Sequence, residues 1–456
     1  MESPNATRLD RFLRLFADVR PGEGVTVILL ALNVLVILQA YYVLKPVREA
    51  LILAEGSAEL KSYMSVGQVL LLAIVVPLYA KLVAAVRRIT LIRTVTWFFV
   101  ACLVILYALA RLGVPLGMVY FLWLGVFSLM IVAQFWSFAN DLYTKEEGER
   151  LFPIVGFGAS LGAVIGSVVA GRLIGSLGIN QMMLVGALGL ILELQITVII
   201  DRRHGAASAL SPQATASATQ PAPPHNAFSL VFRNPYLLNI GLMLLVFYLL
   251  DATGEYVLGT IVKDRATQMV ASGQANGLSV GDVIGRFYSR YFGLVNLISL
   301  LLQLFVVSRI IKRLGVGIAV CILPAMSAIT FGIIAFVPVL WPLLAAKVGE
   351  KATDYSLNNT VRNMLFLPCT HEEKYSAKQV IDSLFVRLGD VMSASLVFVG
   401  TTMLGLSAGG FARISLVLAG VGLALAAVVG RGYLRRTGEP RTATGQTSGN
   451  VLQSAS

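Results

Sequence analysis

About twelve apolar runs dominate this chain of 456 residues, and each is close to the twenty residues that a helix needs to cross a bilayer. Hydrophobic residues make up 57% of the chain and charged residues only 13%. A soluble protein of this size cannot bury so much apolar surface. The sequence therefore predicts an all-α polytopic membrane protein that has the lipid bilayer as its partner. The runs are Gly24–Leu53, Tyr63–Val83, Leu91–Ala110, Leu116–Tyr143, Phe152–Leu173, Met182–Ile200, Tyr236–Val262, Tyr291–Ile311, Leu314–Val337, Val339–Leu367, Ile381–Leu404 and Ile414–Val429.

A polar stretch rich in Ser, Ala, Thr and Pro divides the runs into two sets of six. We expect an N-terminal half over residues 24–200, a linker over 201–228 and a C-terminal half over 229–432, with a tail at each end (1–23 and 433–456). Thr144-Lys-Glu-Glu147 follows the fourth run, and Thr370-His-Glu-Glu373 follows the tenth. Such echoes between halves predict parallel repeats of the major-facilitator type, with substrate held between them at mid-membrane.

The loops are unevenly charged. The chain has 36 basic and 24 acidic residues, and its basic residues cluster in loops that share one side of the predicted topology. Cytoplasmic loops attract Lys and Arg, so both termini are predicted to be cytoplasmic, and the basic excess does not indicate nucleic acid as a partner. The other side carries few basic residues, Lys61, Arg111 and Arg413 among them, and one long loop is expected over Lys263–Arg290.

The sequence shows no site for enzyme chemistry. The three cysteines form no motif, the three histidines lack metal-ligand spacing, and no glycine-rich loop is followed by Gly-Lys-Ser/Thr. Gly158, Gly162 and Gly166 recur at four-residue spacing, which is typical of close helix packing. We expect a protein that is not an enzyme, does not hydrolyse ATP and needs no cofactor or metal.

The tenth run contains five charges at helical spacing, together with one amide. Ionisable groups at membrane depth are costly, and they mark transport routes when they face a water-filled path. An alternative interpretation is a set of salt bridges between packed helices, because the first four charges sum to zero. The residues are Lys347, Glu350, Lys351, Asp354, Asn358 and Arg362.

Polar residues in other runs complete the candidate set. Lys45-Pro46-Val47-Arg48-Glu49 closes the first run; its cations could hold phosphate or carboxylate, or Arg48 could pair with Glu49 at the interface. Asn140 ends an aromatic segment that is otherwise typical of an interfacial belt. Glu193 lacks a helical partner and is either a proton site or a packing residue. Acids and a base that could form gates or carry a coupling proton are Asp251, Glu255, Asp382, Arg387 and Asp390.

Three motifs in this chain resemble those of the ATP/ADP translocases of plastids and intracellular bacteria. They are Lys45-Pro46-x-Arg48-Glu49-x-Leu51, Phe135-Trp136-x-Phe138-Ala139-Asn140 and Glu149-Arg150-Leu151-Phe152-Pro153-x-x-Gly156-x-Gly158-Ala159. The resemblance implies a twelve-span carrier that exchanges nucleotides without hydrolysis, an essential role for Lys45, and residence in a bacterial inner membrane. The chain departs from the family at Asp354-Tyr355, where members have Lys before Tyr, and over Leu116–Phe138 in its fourth run, which has no acid where members have one.

Together these features predict a secondary carrier for a small organic anion, with a nucleotide as the leading candidate. The expected substrate-binding residues are Lys45, Arg48, Asn140, Lys347, Lys351 and Asn358, and the expected gate or coupling residues are Asp251, Glu255, Glu350, Asp354, Asp382 and Arg387. The alternatives are a proton-coupled carrier for another anionic metabolite and a membrane sensor that does not transport.

Overall fold

The structure is a computed structural model that describes Leu13 and residues 18–208, 227–336, 340–370, 373 and 377–438. The N-terminal half consists of six long helices joined by short turns. They are α1 (Gly24–Glu55), α2 (Ala58–Ala85), α3 (Arg88–Arg111), α4 (Gly117–Leu142), α5 (Lys145–Leu177) and α6 (Met182–Ser208).

The C-terminal half is less regular. Its helices are α7 (Ala227–Arg233), α8 (Pro235–Ala271), α9 (Val280–Phe305), α10 (Val307–Ala319), α11 (Ile322–Phe336), α12 (Leu340–Thr353), α13 (Asn359–Met364), α14 (Lys378–Val380), α15 (Val386–Phe398) and α16 (Ala408–Thr437). Wider π-helical turns over Asp354–Asn358, Ile381–Phe385 and Val399–Met403 join or extend these helices.

Nine helices in the described residues are long and apolar enough to cross a membrane, or ten if α9 and α10, which meet at a 76° bend, form one span. The remaining predicted spans correspond to shorter helical pieces. Helix α11 is apolar but only 15 residues long, and α12 ends at the π turn that leads into α13. The all-α polytopic prediction is confirmed.

The predicted long loop Lys263–Arg290 is wrong. Helix α8 continues to Ala271 and α9 begins at Val280, so the loop shrinks to 272–279. Polar residues such as Asp264 and Arg265 had suggested a loop, but both are exposed on the helix surface, where charge is tolerated, and Arg is a good helix former. Glycines with positive φ, Gly273 (73°) and Gly277 (82°), mark the actual turn.

Two predicted boundaries also move. Helix α6 runs to Ser208 and α16 to Thr437, so each extends past the predicted end of its half at 200 and 432. The middle of the predicted linker and most of both predicted tails lie outside the described residues.

Glycines allow α1 and α5 to touch along their lengths. A Cβ atom on Gly158, Gly162 or Gly166 would collide with the backbone of α1 at Ala31, Leu35 and Gln39, respectively. The predicted close packing at four-residue spacing is therefore confirmed. This contact fixes the position of α1, which carries Lys45.

The halves repeat each other at the level of a helix cap. Thr144 accepts a hydrogen bond from the backbone of Glu147, whose carboxylate accepts one in return from the Thr144 amide. Thr370 and Glu373 make the same reciprocal pair. The motif that recurs in the sequence of the two halves thus forms the same pair of hydrogen bonds in both.

Two faces can be defined from contacts between helix ends. Helices α1 and α8 both run toward the α1–α2 turn, so their first residues share one face, which we call the terminal face. The end of α16 lies at the same face, because Arg436 hydrogen-bonds Asn234 just before α8. At the other face, hereafter the opposite face, the α1–α2 turn meets α8: Tyr256 donates to Glu59 at 3.0 Å, and Lys263 donates to the carbonyl of Gly56. The halves are therefore joined at the opposite face.

Candidate functional site

A cavity of about 230 Å³ lies between the halves, and we call it the Lys45 cavity. Helices α1, α2 and α4 contribute residues from the N-terminal half, and α8, α9 and α15 with the α12 region contribute from the C-terminal half. Its charged lining has five cations and three carboxylates: Lys45, Arg48, Lys61, Lys351, Arg387, Asp251, Glu255 and Asp390. The cavity therefore has a positive excess suited to an anion.

Lys45 carries this excess. Its side chain is 8% exposed, and the ion pairs found in the described part of the chain do not include it. Its Nζ lies 4.1 Å from the ring centroid of Phe292 and 5.1 Å from that of Tyr42. Aromatic faces attract a cation but do not neutralise it. The amino group is therefore held in place by aromatic rings, without an ion-pair partner among the described residues.

Arg48 and Lys61, by contrast, are engaged with carboxylates. Glu49 is fully buried and pairs with Arg48 Nη2 at 2.5 Å and with Lys61 Nζ at 2.6 Å. Lys61 Nζ also reaches Glu255 of α8 at 3.3 Å. The alternative in which Arg48 pairs with Glu49 is thus observed, and among the described residues Lys61–Glu255 is the ion pair that joins the halves. We call these four residues the inter-half network.

Lys351 and Asp251 form a close pair within the C-terminal half. Lys351 Nζ donates to both carboxylate oxygens of Asp251 at 2.6 Å, and it lies 5.5 Å from the ring centroid of Tyr355. Arg387 pairs with Asp390 one turn along α15, at 3.5 Å. Both predicted cations line the Lys45 cavity, with their charges already compensated.

A second cavity, of about 550 Å³, lies toward the terminal face, and we call it the Arg362 cavity. Most of its polar lining is neutral, with Asp354 and Arg362 as its charged members. Asp354 accepts a hydrogen bond from Asn358 at 2.9 Å, and Arg362 donates to the hydroxyl of Tyr248 at 3.0 Å. Such a lining can bind a polar ligand of either charge through Arg362, Asp354 and the surrounding hydroxyl and amide groups.

Three aromatic rings lie where the cavities meet. Tyr355 lines both cavities, Phe292 lines the Lys45 cavity and Tyr42 lines the Arg362 cavity. The rings of Tyr42 and Phe292 are in edge contact with centroids 6.3 Å apart. We call these three residues the aromatic barrier; a solute moving from one face to the other would have to displace it.

The charged stripe predicted for the tenth run separates into two groups within α12, before the π turn. Lys347 is fully buried and pairs with Glu350 at 2.9 Å, and Glu350 also accepts a hydrogen bond from Ser327 at 2.6 Å. Lys351 and Asp354, by contrast, reach the two large cavities. For Lys347 and Glu350 the structure therefore has the internal salt bridge that was the alternative interpretation.

The structure brings most of the predicted residues together, with four exceptions. Lys347 and Glu350 line neither large cavity, Asn140 is exposed near the end of α4, and Asp382 lies in the π turn Ile381–Phe385 away from both. Sequence reasoning did not select Lys61 or the aromatic barrier. Lys61 stood out only as a rare basic residue on the opposite face, and the aromatic rings have no periodicity that separates them from core residues.

A family model described as the Major Facilitator Superfamily matches residues 29–367, which is more than half of the chain. The chain belongs to the Major Facilitator Superfamily. Solved facilitator-fold structures agree along nearly the whole length. A bacterial homologue of the iron transporter ferroportin has a TM-score of 0.60 at 15% identity, covering 91% of this chain and 99% of that one. The nucleoside transporter NupG has a TM-score of 0.56 at 14% identity, covering 90% and 100%. These likenesses establish the fold.

Among curated proteins, this facilitator-superfamily chain is similar to ADP,ATP carrier protein 1 of Chlamydia pneumoniae. The two are 25% identical over an alignment of 305 positions that covers 58% of this chain. The match spans 56% of the relative's length. Family and fold are thus those of membrane transporters.

Proposed function

We propose that this protein is a secondary carrier that exchanges nucleotides of the ATP/ADP type across a bacterial inner membrane, with the terminal face in the cytoplasm. The observation that supports this best is the uncompensated ammonium of Lys45 in a cavity whose other cations are paired. A bound anion would complete the charge balance. The relative from Chlamydia pneumoniae, named as an ADP,ATP carrier, supports a nucleotide as that anion.

The shapes and linings of the cavities suit such a substrate. Ligand sites typically measure about 300–1,000 Å³, and the Arg362 cavity, at about 550 Å³, falls in this range. We place the bound nucleotide there, with its phosphates directed across the aromatic barrier toward Lys45. The rings of Tyr42 and Tyr355 offer faces to the base.

Exchange follows from the cost of moving an empty site. A buried charge without a partner costs several kcal/mol, so reorientation with Lys45 unpaired is slow and reorientation with a bound anion is fast. Net uptake by an empty carrier would then be disfavoured, and each inward step would be matched by an outward one.

The test uses the purified full chain in liposomes, with uptake of labelled ADP as the readout. We expect saturable uptake when the liposomes contain ATP or ADP, and none when they contain buffer alone. Protein-free liposomes with the same internal nucleotide are the control. Absence of saturable uptake across a panel of nucleotides overturns the nucleotide assignment. Uptake that follows an imposed pH gradient and ignores internal nucleotide overturns the exchange mechanism in favour of proton coupling.

A further inference from the structure

A second polar site is buried inside the N-terminal half, apart from both substrate cavities. Glu193 and Thr197 of α6, Asn33 of α1 and Gln134 of α4 surround a cavity of about 10 Å³. Each of these side chains is at most 5% exposed. The rest of the cavity wall is aliphatic or aromatic. The volume is about that of one water-sized probe, so the site fits only a very small ligand.

The hydrogen bonds at this site leave acceptors to spare. Asn33 donates to the hydroxyl of Thr197 at 2.9 Å, and Thr197 donates to Glu193 Oε1 at 2.7 Å. Three buried acceptor atoms have no hydrogen-bond partner within the described chain: Glu193 Oε2, Asn33 Oδ1 and Gln134 Oε1. Buried polar atoms are rarely left this way, so this concentration around one carboxyl group indicates a ligand.

The charge on Glu193 needs compensation that the surrounding side chains do not supply. None of the described side chains that line the cavity is a cation. An isolated buried carboxylate costs several kcal/mol. A proton removes that cost and also converts Oε2 into a donor. Asn33 Oδ1 and Gln134 Oε1, which line the same cavity, are acceptors for it.

A cluster of charged groups lies on the terminal side of this cavity. Arg88 of α3 lies over the ring of Phe138, 5.1 Å from its centroid, and Phe138 forms part of the cavity wall. Arg88 pairs with Asp141 of α4 at 2.8 Å and with Asp201 of α6 at 3.8 Å. Helix α1 contributes Asn33, which is neutral. All three charged side chains are about one-third or more exposed, so these pairs are weak and can open.

We propose that Glu193, with Asn33, Thr197 and Gln134, forms an exchangeable proton-binding site that is reached from the terminal face past Arg88. The site goes beyond nucleotide exchange, because neither the charge balance at Lys45 nor either substrate cavity involves it. Asn33 and Lys45 are both on α1, about 18 Å apart at 1.5 Å per residue. The proton site and Lys45 are therefore connected through helix α1.

The test is infrared difference spectroscopy of the full chain in lipid vesicles, without nucleotide, so its outcome is independent of the transport assay. Between about pH 5 and about pH 9, the wild-type protein should lose the carbonyl band of a protonated, buried carboxyl group. Glu193→Gln, which keeps the size of the side chain, should lack this band. Asp264→Asn, which neutralises an exposed acid on α8, should retain it.

A second variant keeps the test decisive if Glu193→Gln does not fold. Gln134→Leu retains the carboxyl group and removes a polar neighbour, so the same band should titrate at a shifted frequency. A carboxyl band that does not change over the pH range makes Glu193 a permanently neutral packing residue and overturns the proposal. A titrating carboxyl band that is the same in Glu193→Gln and in the wild-type protein also overturns the proposal, because the band then belongs to another residue. If sodium chloride, but not choline chloride, raises the melting temperature of the wild-type protein only, the site binds sodium and the proton assignment is wrong.

Discussion

At the scale of single residues, a cation can bind substrate or stabilise the fold, and its partners decide which. Lys45 faces aromatic rings and a cavity, whereas Lys347 is fully buried against Glu350. From composition and spacing alone both lysines were substrate-binding candidates, because each is a cation in an apolar run. The partner of Lys347 was identifiable three residues along the helix, but the aromatic surroundings of Lys45 come from other helices and could not be predicted.

Lys45→Ala should impair nucleotide exchange while leaving the fold intact. A hydrogen bond to a charged group contributes about 1.5–3 kcal/mol, so the half-saturating ADP concentration should rise about tenfold to a hundredfold. Arg111→Ala, at an exposed cation, is the matched control and should behave as wild type. Exchange by Lys45→Ala with an unchanged half-saturating concentration would remove Lys45 from the binding site.

Lys347→Met should act on stability instead. It leaves Glu350 buried without a cation, and breaking a buried pair on one side typically costs about 3–5 kcal/mol. The double variant Lys347→Met/Glu350→Gln should regain much of the lost stability, because the neutral amide that replaces the carboxylate would still accept a hydrogen bond from Ser327. Thermal unfolding in detergent measures the stability of the single and of the double variant. If the double variant is as unstable as the single one, the pair is not what stabilises this region.

At the scale of helices, the apolar runs predicted which helices exist better than where those helices break or change their winding. The six runs of the N-terminal half correspond to six helices, because each is regular and bounded by short turns. In the C-terminal half the π turn at Asp354–Asn358 adds a residue to the helical turn. A helical register drawn at 100° per residue is therefore shifted beyond this turn, although Asp354, Asn358 and Arg362 still line one cavity. No local propensity marks where a π turn begins.

The contact between α1 and α5 gives a prediction at this scale. Gly162→Val should destabilise the protein, because a Cβ atom there would lie 2.8 Å from Leu35 Cα, and overpacking typically costs about 1–3 kcal/mol. Gly156→Ala on the same helix is the control, since nothing lies within 4 Å of its Cβ position. Melting temperatures of the two variants should separate clearly. Equal values would mean that the helices can move apart at no cost.

At the scale of the whole molecule, the two halves approach each other at the opposite face. The proposed exchange mechanism requires that this contact opens. The sequence predicted the two-half plan from its linker and echoed motifs. It could not show which face is closed, because the inter-half network joins residues far apart in the chain, such as Lys61 and Glu255.

A disulfide can hold the opposite face closed. A Cβ atom on Gly259 of α8 would lie 3.6 Å from the Cβ of Ala58 in α2, within the range that a disulfide spans. In a background where Cys102, Cys321 and Cys369 are replaced by serine, Ala58→Cys/Gly259→Cys should crosslink the halves on oxidation. Exchange should then stop and return with a reductant. Each single cysteine variant should be insensitive to oxidant. Full exchange by the crosslinked protein would show that substrate passes without separation of the halves, and alternating access at this interface would be excluded.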